Sequence, residues 1–188
     1  MSGQITLVLG GARSGKSRYA EGLLAALPPA WNPPWVYVAT AEAGDAEMME
    51  RINVHRARRG SPWQTVEAPH ALAEAIVSSQ PMPVLVDCLT LWLSNLLLQG
   101  NEPQTIVQRV EELASVLARR SLHAVVVSNE VGLGIVPETP LGRTFRDIAG
   151  LAHQRISAAA DEVYFAVLGT ILRIKPSPAF LDLAEITG

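Results

Sequence analysis

Short apolar runs rich in β-branched residues alternate along the chain with longer segments of helical periodicity. Four of the short runs are almost continuously apolar, which is typical of strands that are covered on both faces. They span residues 5–9, 35–39, 84–86 and 124–128. The helical segments span roughly 16–27, 45–59, 70–79, 88–98, 103–120 and 140–160. This alternation predicts an α/β fold in which helices flank a mainly parallel sheet.

The last of these helical segments has the clearest periodicity. Its apolar residues recur at spacings of three and four and so form one stripe along the helix. They are Leu141, Phe145, Ile148, Ala152 and Ile156. We expect this stripe to pack against the sheet.

The end of the chain indicates a hairpin followed by a tail. Residues 162–168 and 171–175 flank Gly169-Thr170, which predicts an antiparallel hairpin at the edge of the sheet. Pro176-Ser177-Pro178 then predicts the end of regular structure, so residues 176–188 are expected to be irregular. No internal repeat or linker divides the chain, and residues 1–188 are expected to form a single domain.

Composition excludes several classes of protein. Hydrophobic residues make up 48% of the 188 residues and charged residues 18%, which excludes a disordered or collagen-like chain. The net charge of −3 gives no overall basic surface for nucleic acid. The single cysteine excludes an intrachain disulfide, and the four histidines show no metal-binding spacing. Without a membrane-spanning run or a basic leader segment, we expect a cytoplasmic protein.

Polar or glycine-rich residues follow all four predicted strands. They are Gly10 onward, Thr40-Ala41-Glu42, Asp87, and Ser128-Asn129-Glu130. Ligands of open parallel sheets bind beyond the carboxyl ends of the strands. The sequence therefore predicts that these groups converge on one site.

The segment after the first strand matches the phosphate-binding pattern GxxxxGK[ST], called Walker A. It consists of Gly10, Gly11, Ala12, Arg13, Ser14, Gly15, Lys16 and Ser17. Its glycines let backbone N–H groups point at phosphate oxygens, and the start of the following helix adds partial positive charge. Lys16 is expected to reach the β- and γ-phosphates and the Ser17 hydroxyl to bind Mg²⁺. These features predict nucleotide binding by a P-loop, RecA-like domain.

Asp87 ends a buried strand and has two interpretations. It could hold the Mg²⁺ shell opposite the phosphate loop, or it could cap the helix that follows. The phosphate loop favours the metal-binding role.

The helical segment 45–59 places one histidine among arginines. At about 100° per residue, Arg51, His55 and Arg58 fall within about 60° of arc. Nearby guanidinium groups disfavour imidazolium, so His55 would stay neutral and nucleophilic. A neutral imidazole can attack an α-phosphate, expel pyrophosphate and hold the nucleotide as a phosphoramidate. The alternative is a solvated surface helix whose charges suit its dipole.

Taken together, these motifs resemble a known family from about Ile5 to Lys175. The segments that carry the resemblance are GGARSGKS (10–17), VATAEAGDAEMMERINVHRARR (38–59), VDCLTLWLSNLL (86–97), SNEVGLGIVPETPLGRTFRDIAG (128–150) and QRISAAADEVYF (154–165). The chain resembles the bifunctional adenosylcobinamide kinase/adenosylcobinamide-phosphate guanylyltransferase family of cobalamin biosynthesis. The resemblance implies a kinase step from ATP or GTP on adenosylcobinamide, then GMP transfer from GTP through a guanylyl-histidine.

The resemblance also implies roles for individual residues. It places the guanylylated histidine on His55 and GTP contacts on Arg56, Ala57, Arg58, Arg59, Thr40, Ala41 and Glu42. It places Glu67 near the guanine, whereas from the sequence alone Glu67 could be a surface residue. Asp87 would bind Mg²⁺. The family is trimeric, which implies a homotrimer with active sites near subunit boundaries.

Two other functions are open at this point. One is a recombinase-like P-loop ATPase or GTPase without covalent nucleotide transfer, in which Ser128-Asn129-Glu130 could position water. The other is a non-catalytic nucleotide sensor, which would not need His55. The general base of the kinase step is not assigned by the sequence.

Overall fold

The computed structural model describes residues 3–28, 34–42, 49–50, 62–121, 123–177 and 179–182. Within these ranges it contains eight strands and five helices. The strands are β1 (Ile5–Gly10), β2 (Trp35–Ala39), β3 (Trp63–Glu67), β4 (Val84–Asp87), β5 (Ala124–Asn129), β6 (Glu162–Val167), β7 (Thr170–Lys175) and β8 (Ala179–Asp182). The helices are α1 (Lys16–Ala25), α2 (Leu72–Ser78), α3 (Leu89–Leu98), α4 (Pro103–Ala118) and α5 (Pro140–Ala159).

All described strands belong to one sheet, in the order β3-β2-β4-β5-β1-β6-β7-β8. The six strands from β3 to β6 are mutually parallel, while β7 and β8 are added antiparallel. This confirms the predicted α/β class and is consistent with a P-loop fold. Because the parallel strands share a direction, all their carboxyl ends lie on the same side of the sheet, next to the loops that follow them.

Alternation along the strands divides the core into two layers. Leu7 packs with α2 to α5 on one face of the sheet, whereas the next residue, Val8, packs with Tyr19 and Leu24 of α1 on the other. Both faces are therefore covered, which explains why the central strands are continuously apolar in sequence. Along the described stretches, no helix combines the length and apolar character needed to cross a membrane.

The long helix α5 only partly matches its predicted stripe. Ile148, Ala152 and Ile156 are buried as expected, and Phe145 packs against the core. Leu141, however, is 52% exposed, and the first turn of α5 around it is mostly exposed as well. The buried face also includes His153, which the apolar pattern did not predict.

The structure corrects the sequence analysis at three places. β3 was not predicted as a strand, because it is an edge strand with an exposed, partly polar face. Regular structure does not end at Pro176–Pro178, since β8 adds to the open edge of β7. The hairpin turn is Leu168-Gly169, one residue earlier than predicted; both residues have positive φ, 52° and 76°, as a type I′ turn requires.

The predicted helix over 45–59 lies mostly outside the described residues. Met49 and Glu50 are described, and both have helical backbone.

Candidate active site

The phosphate loop lies between β1 and α1, which is the structural context that its sequence pattern requires. Gly15 takes a left-handed conformation with φ of 91°, and the chain then enters α1 at Lys16. A Cβ added to Gly10 would lie 2.6 Å from both the Ala166 carbonyl oxygen and Ser14 Oγ. Gly10 is therefore needed because the loop closes tightly against β6.

Lys16 is held inside the loop. Its side chain is buried, and Nζ donates a 3.0 Å hydrogen bond to the carbonyl oxygen of Gly11. Burial lowers the pKa of Lys16, while the neighbouring Cys88 and Asp87 act in the opposite direction. Lys16 thus stands close enough to the end of β4 for the charge of Asp87 to act on its pKa.

Ser14 gives an independent sign of a polar ligand. Its Oγ is buried and has no hydrogen-bond partner among the described residues. A buried hydroxyl without a partner costs about 1–3 kcal/mol, so such groups are usually satisfied by a ligand or by water. Its place in the loop, between Arg13 and Gly15, suits a phosphate oxygen.

Asp87 does not cap the helix that follows. α3 begins at Leu89 with Cys88 at the N-cap position, and no side chain caps it within the described chain. Instead, Asp87 Oδ2 accepts a 2.6 Å hydrogen bond from the Tyr37 hydroxyl on the neighbouring strand. The structure thus removes the capping alternative and leaves the carboxylate facing the phosphate-loop side.

The donor set at this point suits Mg²⁺ bound jointly with a nucleotide. Ser17 and Asp87 supply hydroxyl and carboxylate oxygens, which Mg²⁺ prefers. Among the residues that the structure describes, no cluster of three or more His, Cys, Asp or Glu side chains could hold a metal ion. Since Mg²⁺ in kinases takes one or two carboxylates and completes its shell with phosphates and water, this sparse set fits.

Cys88 is excluded as a nucleophile by its surroundings. It is buried, and burial, with Asp87 adding to it, raises the pKa of its thiol to about 11. A thiol in this state is protonated at neutral pH and is inert.

The side chain of Thr40 links the carboxyl ends of β2 and β4 by hydrogen bonds. Its Oγ1 donates to the Cys88 carbonyl at 2.7 Å and accepts from the Cys88 N–H at 2.8 Å. Asn95 of α3 then donates to the Thr40 carbonyl at 2.8 Å. The Thr40 side chain is therefore fully buried in a structural role, and its contact with GTP stays a prediction.

The two residues after Thr40 lead to a contact between Glu42 and His70 near the carboxyl end of β2. Ala41 is half-buried and Glu42 is exposed. Glu42 Oε1 lies 3.5 Å from His70 Nε2, an ion-pair distance without hydrogen-bond geometry. The sequence assigned no chemistry to His70.

Glu67 ends β3 and is exposed. Four strand spacings separate β3 from β1, which is about 19 Å at the usual spacing. The structure therefore does not bring Glu67 into contact with the phosphate loop. Contact between Glu67 and guanine stays a prediction, and it would take place at the carboxyl end of β3, away from the phosphate loop.

The predicted nucleophile and its neighbours lie outside the described residues. They are His55, Arg56, Ala57, Arg58 and Arg59. Their roles stay predictions.

The structure reveals a polar cluster of three side chains that the sequence did not single out as a unit. Ser128 Oγ lies 2.8 Å from His153 Nε2, and His153 Nδ1 lies 3.6 Å from Glu130 Oε2. A histidine at a buried position of a helix was the available signal, because such a group needs a polar partner. Its partners, Ser128 on β5 and Glu130 directly after that strand, could not be identified without the packing of α5.

Glu130 opens onto a cleft of about 400 Å³ beside the phosphate loop. The cleft is lined by residues 11–14, Glu130, Leu133 and residues 165–169. One wall is thus the phosphate loop, and the other walls are largely apolar. Its size and position suit a phosphoryl acceptor approaching the loop.

Comparison with known proteins gives a consistent result. A family model described as cobinamide kinase / cobinamide phosphate guanyltransferase matches residues 6–174. The bifunctional adenosylcobalamin biosynthesis protein CobP of Pseudomonas aeruginosa is 47% identical over 174 residues, covering 92% of this chain and 98% of that protein. Proteins named bifunctional adenosylcobalamin biosynthesis protein CobU, from Salmonella typhimurium and Escherichia coli, are each 40% identical, covering 90% of this chain and 98% of theirs.

Proposed function

Because the chain belongs to the cobinamide kinase / cobinamide phosphate guanyltransferase family, we propose that it phosphorylates adenosylcobinamide and then guanylylates the product to adenosylcobinamide-GDP. The observation that carries the kinase half is the phosphate loop between β1 and α1, with Lys16 buried and bonded to the Gly11 carbonyl. The recombinase-like alternative is not favoured, since the family match covers almost the whole chain.

In the kinase step, a nucleoside triphosphate lies with its phosphates on the loop of residues 10–17. Backbone N–H groups and the start of α1 bind the phosphate oxygens, and Lys16 reaches the β- and γ-phosphates. Ser17 and Asp87 would hold Mg²⁺, which when bound offsets negative charge on the phosphates. The terminal hydroxyl of the corrinoid side chain is the acceptor.

In the guanylyl step, His55 is the proposed nucleophile. Its imidazole attacks the α-phosphorus of GTP, the bond to pyrophosphate breaks, and GMP remains as a phosphoramidate. The proposed GTP contacts are Thr40, Ala41, Glu42, Arg56, Ala57, Arg58, Arg59 and Glu67. The phosphate of the first product then displaces His55 and takes the GMP.

Labelled GTP distinguishes these steps from simple hydrolysis. With label on the α-phosphate, we expect an acid-labile, base-stable adduct on the protein that is absent in His55→Ala. With label on the γ-phosphate, we expect no adduct but labelled corrinoid phosphate, which Lys16→Met abolishes. Release of inorganic phosphate without an adduct or labelled corrinoid would contradict the proposal, and a persistent adduct in His55→Ala would move the nucleophile elsewhere.

A homotrimer in the cytoplasm completes the proposal. The trimer rests on the family resemblance, and light scattering at several concentrations tests it. A particle with the mass of one chain at all concentrations would contradict it.

A further inference from the structure

The cluster of Ser128, Glu130 and His153 resembles a nucleophilic triad in its order of contacts, but it cannot act as one. Ser128 is 0% exposed, so its hydroxyl cannot meet a substrate. The exposed end of the cluster is Glu130, whose side chain is 20% exposed and lines the cleft. Any chemistry of the cluster must therefore be performed by the carboxylate.

Glu130 is tied directly to the phosphate-loop strand. It follows Asn129, which pairs with Gly10 in the parallel ladder between β1 and β5. The Glu130 N–H donates to the Gly10 carbonyl at 3.1 Å. The backbone of Glu130 is thus anchored where the phosphate loop begins, and its carboxylate faces the cleft beside the loop.

Among the residues that line this cleft, Glu130 is the carboxylate and Arg13 the cation. The other lining groups are apolar side chains, backbone and the Ser14 hydroxyl. A phosphoryl acceptor in the cleft would therefore meet one carboxylate among the lining side chains, that of Glu130.

We propose that Glu130 is the general base of the kinase step, an inference that rests on the proposed kinase activity. The acceptor hydroxyl oxygen forms a bond to the γ-phosphorus, and the bond from that phosphorus to the β,γ-bridging oxygen breaks. The hydroxyl proton passes to the Glu130 carboxylate and afterwards to solvent, while the nucleoside diphosphate leaves. Proton transfer to a positioned base typically contributes about 10²–10⁴-fold to the rate.

Two neighbours hold this carboxylate in place. Glu130 Oε1 accepts a hydrogen bond from the Gly132 N–H, and Oε2 lies 3.6 Å from His153 Nδ1. On its other side, His153 Nε2 and Ser128 Oγ lie at 2.8 Å and share a buried hydrogen bond. His153 is thereby a positioning residue that holds Glu130 from the side of α5.

Gly132 provides a way to move the carboxylate without removing it. A Cβ at position 132 would lie 2.8 Å from Glu130 Oε1, the mobile end of a side chain. Gly132→Ala is therefore expected to displace the carboxylate with little effect on stability. Displacement of a catalytic group by about 1 Å can cost up to about 10²-fold in rate.

The test compares Glu130→Gln with the wild-type protein in three assays. These are phosphoryl transfer to cobinamide, nucleotide affinity with Mg²⁺, and self-labelling from α-labelled GTP. We expect the kinase kcat of Glu130→Gln to fall about 10²-fold or more, with nucleotide affinity and self-labelling unchanged. Gly132→Ala and His153→Asn should lower the same kcat about 10-fold, with unchanged KM for the nucleotide.

Glu138→Gln is the matched control, because it makes the same charge change at an exposed position in the same loop. It should keep wild-type kinase activity. Kinase kcat within threefold of wild type in Glu130→Gln would overturn the assignment while leaving the proposed function intact. Loss of Mg²⁺-dependent nucleotide binding in Glu130→Gln would also overturn it, since Glu130 would then be a metal ligand. If the wild-type chain does not phosphorylate cobinamide, the proposed function fails and this inference fails with it.

Discussion

The hydroxyl of Tyr37 donates a 2.6 Å hydrogen bond to Oδ2 of Asp87 across two neighbouring strands. Tyr37 is buried among the residues that pack against α1, whereas Asp87 stands at the edge of the sheet near the phosphate loop. The core thereby orients the carboxylate that we propose as a Mg²⁺ ligand.

Tyr37→Phe is expected to weaken Mg²⁺ use. Without its donor, Asp87 loses a fixed orientation, and loss of such an outer partner typically costs about 10-fold or more in metal affinity. The Mg²⁺ concentration for half-maximal kinase activity should rise accordingly. Tyr19→Phe is the control, since Tyr19 is equally buried but contacts Tyr164. Equal Mg²⁺ requirements in the two variants would contradict the assignment of Asp87.

Gly10→Ala should damage the phosphate loop. The new Cβ would meet the Ala166 carbonyl oxygen at 2.6 Å, so the loop or β6 must shift, at a cost of about 1–3 kcal/mol. Nucleotide affinity should fall together with stability. Gly22→Ala, in the middle of α1 with no heavy atom within 4 Å of the added Cβ, should instead stabilise the protein by up to about 1 kcal/mol. Thermal unfolding with and without nucleotide measures both effects, and an unchanged affinity in Gly10→Ala would refute the tight closure.

Arg120→Ala is expected to destabilise the fold strongly. Arg120 is 5% exposed and donates at 2.6 Å to the carbonyls of both Ile76 and Met82. Its removal leaves a buried carbonyl at Ile76 and a partly buried one at Met82 without this donor and opens a cavity, which should cost about 3 kcal/mol. The neighbouring Arg119 is exposed and donates to the Ser115 carbonyl of its own helix, so Arg119→Ala should change stability by less than about 0.5 kcal/mol. Urea unfolding of the two variants measures the difference, provided that their m-values are equal. Similar unfolding midpoints would show that the buried hydrogen bonds of Arg120 do not stabilise the fold.

His153 should make stability depend on pH. Burial lowers the pKa of His153 below 6.5, and Glu130 only partly opposes this. Below pH 6.5 the unfolded chain therefore binds a proton before the folded chain does, so the free energy of unfolding falls as pH decreases. His153→Asn should lose less stability than wild type between pH 7 and pH 5. Burial also lowers the pKa of His123, so a decrease in pH destabilises the protein through His123 as well. This contribution is the same in both proteins, because both contain His123. Parallel stability curves for the two proteins would show that His153 does not contribute.

Much of the fold could be predicted because its signals are local. β1 and α1, with the loop between them, follow from a contiguous pattern in which each residue acts on its immediate neighbours. The central strands were identifiable because burial on both faces leaves no polar position to interrupt them. β3 escaped prediction for the opposite reason, since an edge strand keeps polar residues on its open side.

The sequence by itself determined the α/β class, the phosphate loop with Lys16, and the carboxylate of Asp87 at a strand end. Only the tertiary structure decided which groups meet: Tyr37 with Asp87, and Glu130 with His153. These partners are 50 and 23 positions apart, as the residue numbers show. Their contacts depend on strand order and on how α5 packs against β5, and hydrophobic periodicity encodes neither, because it reports only which face of an element is buried.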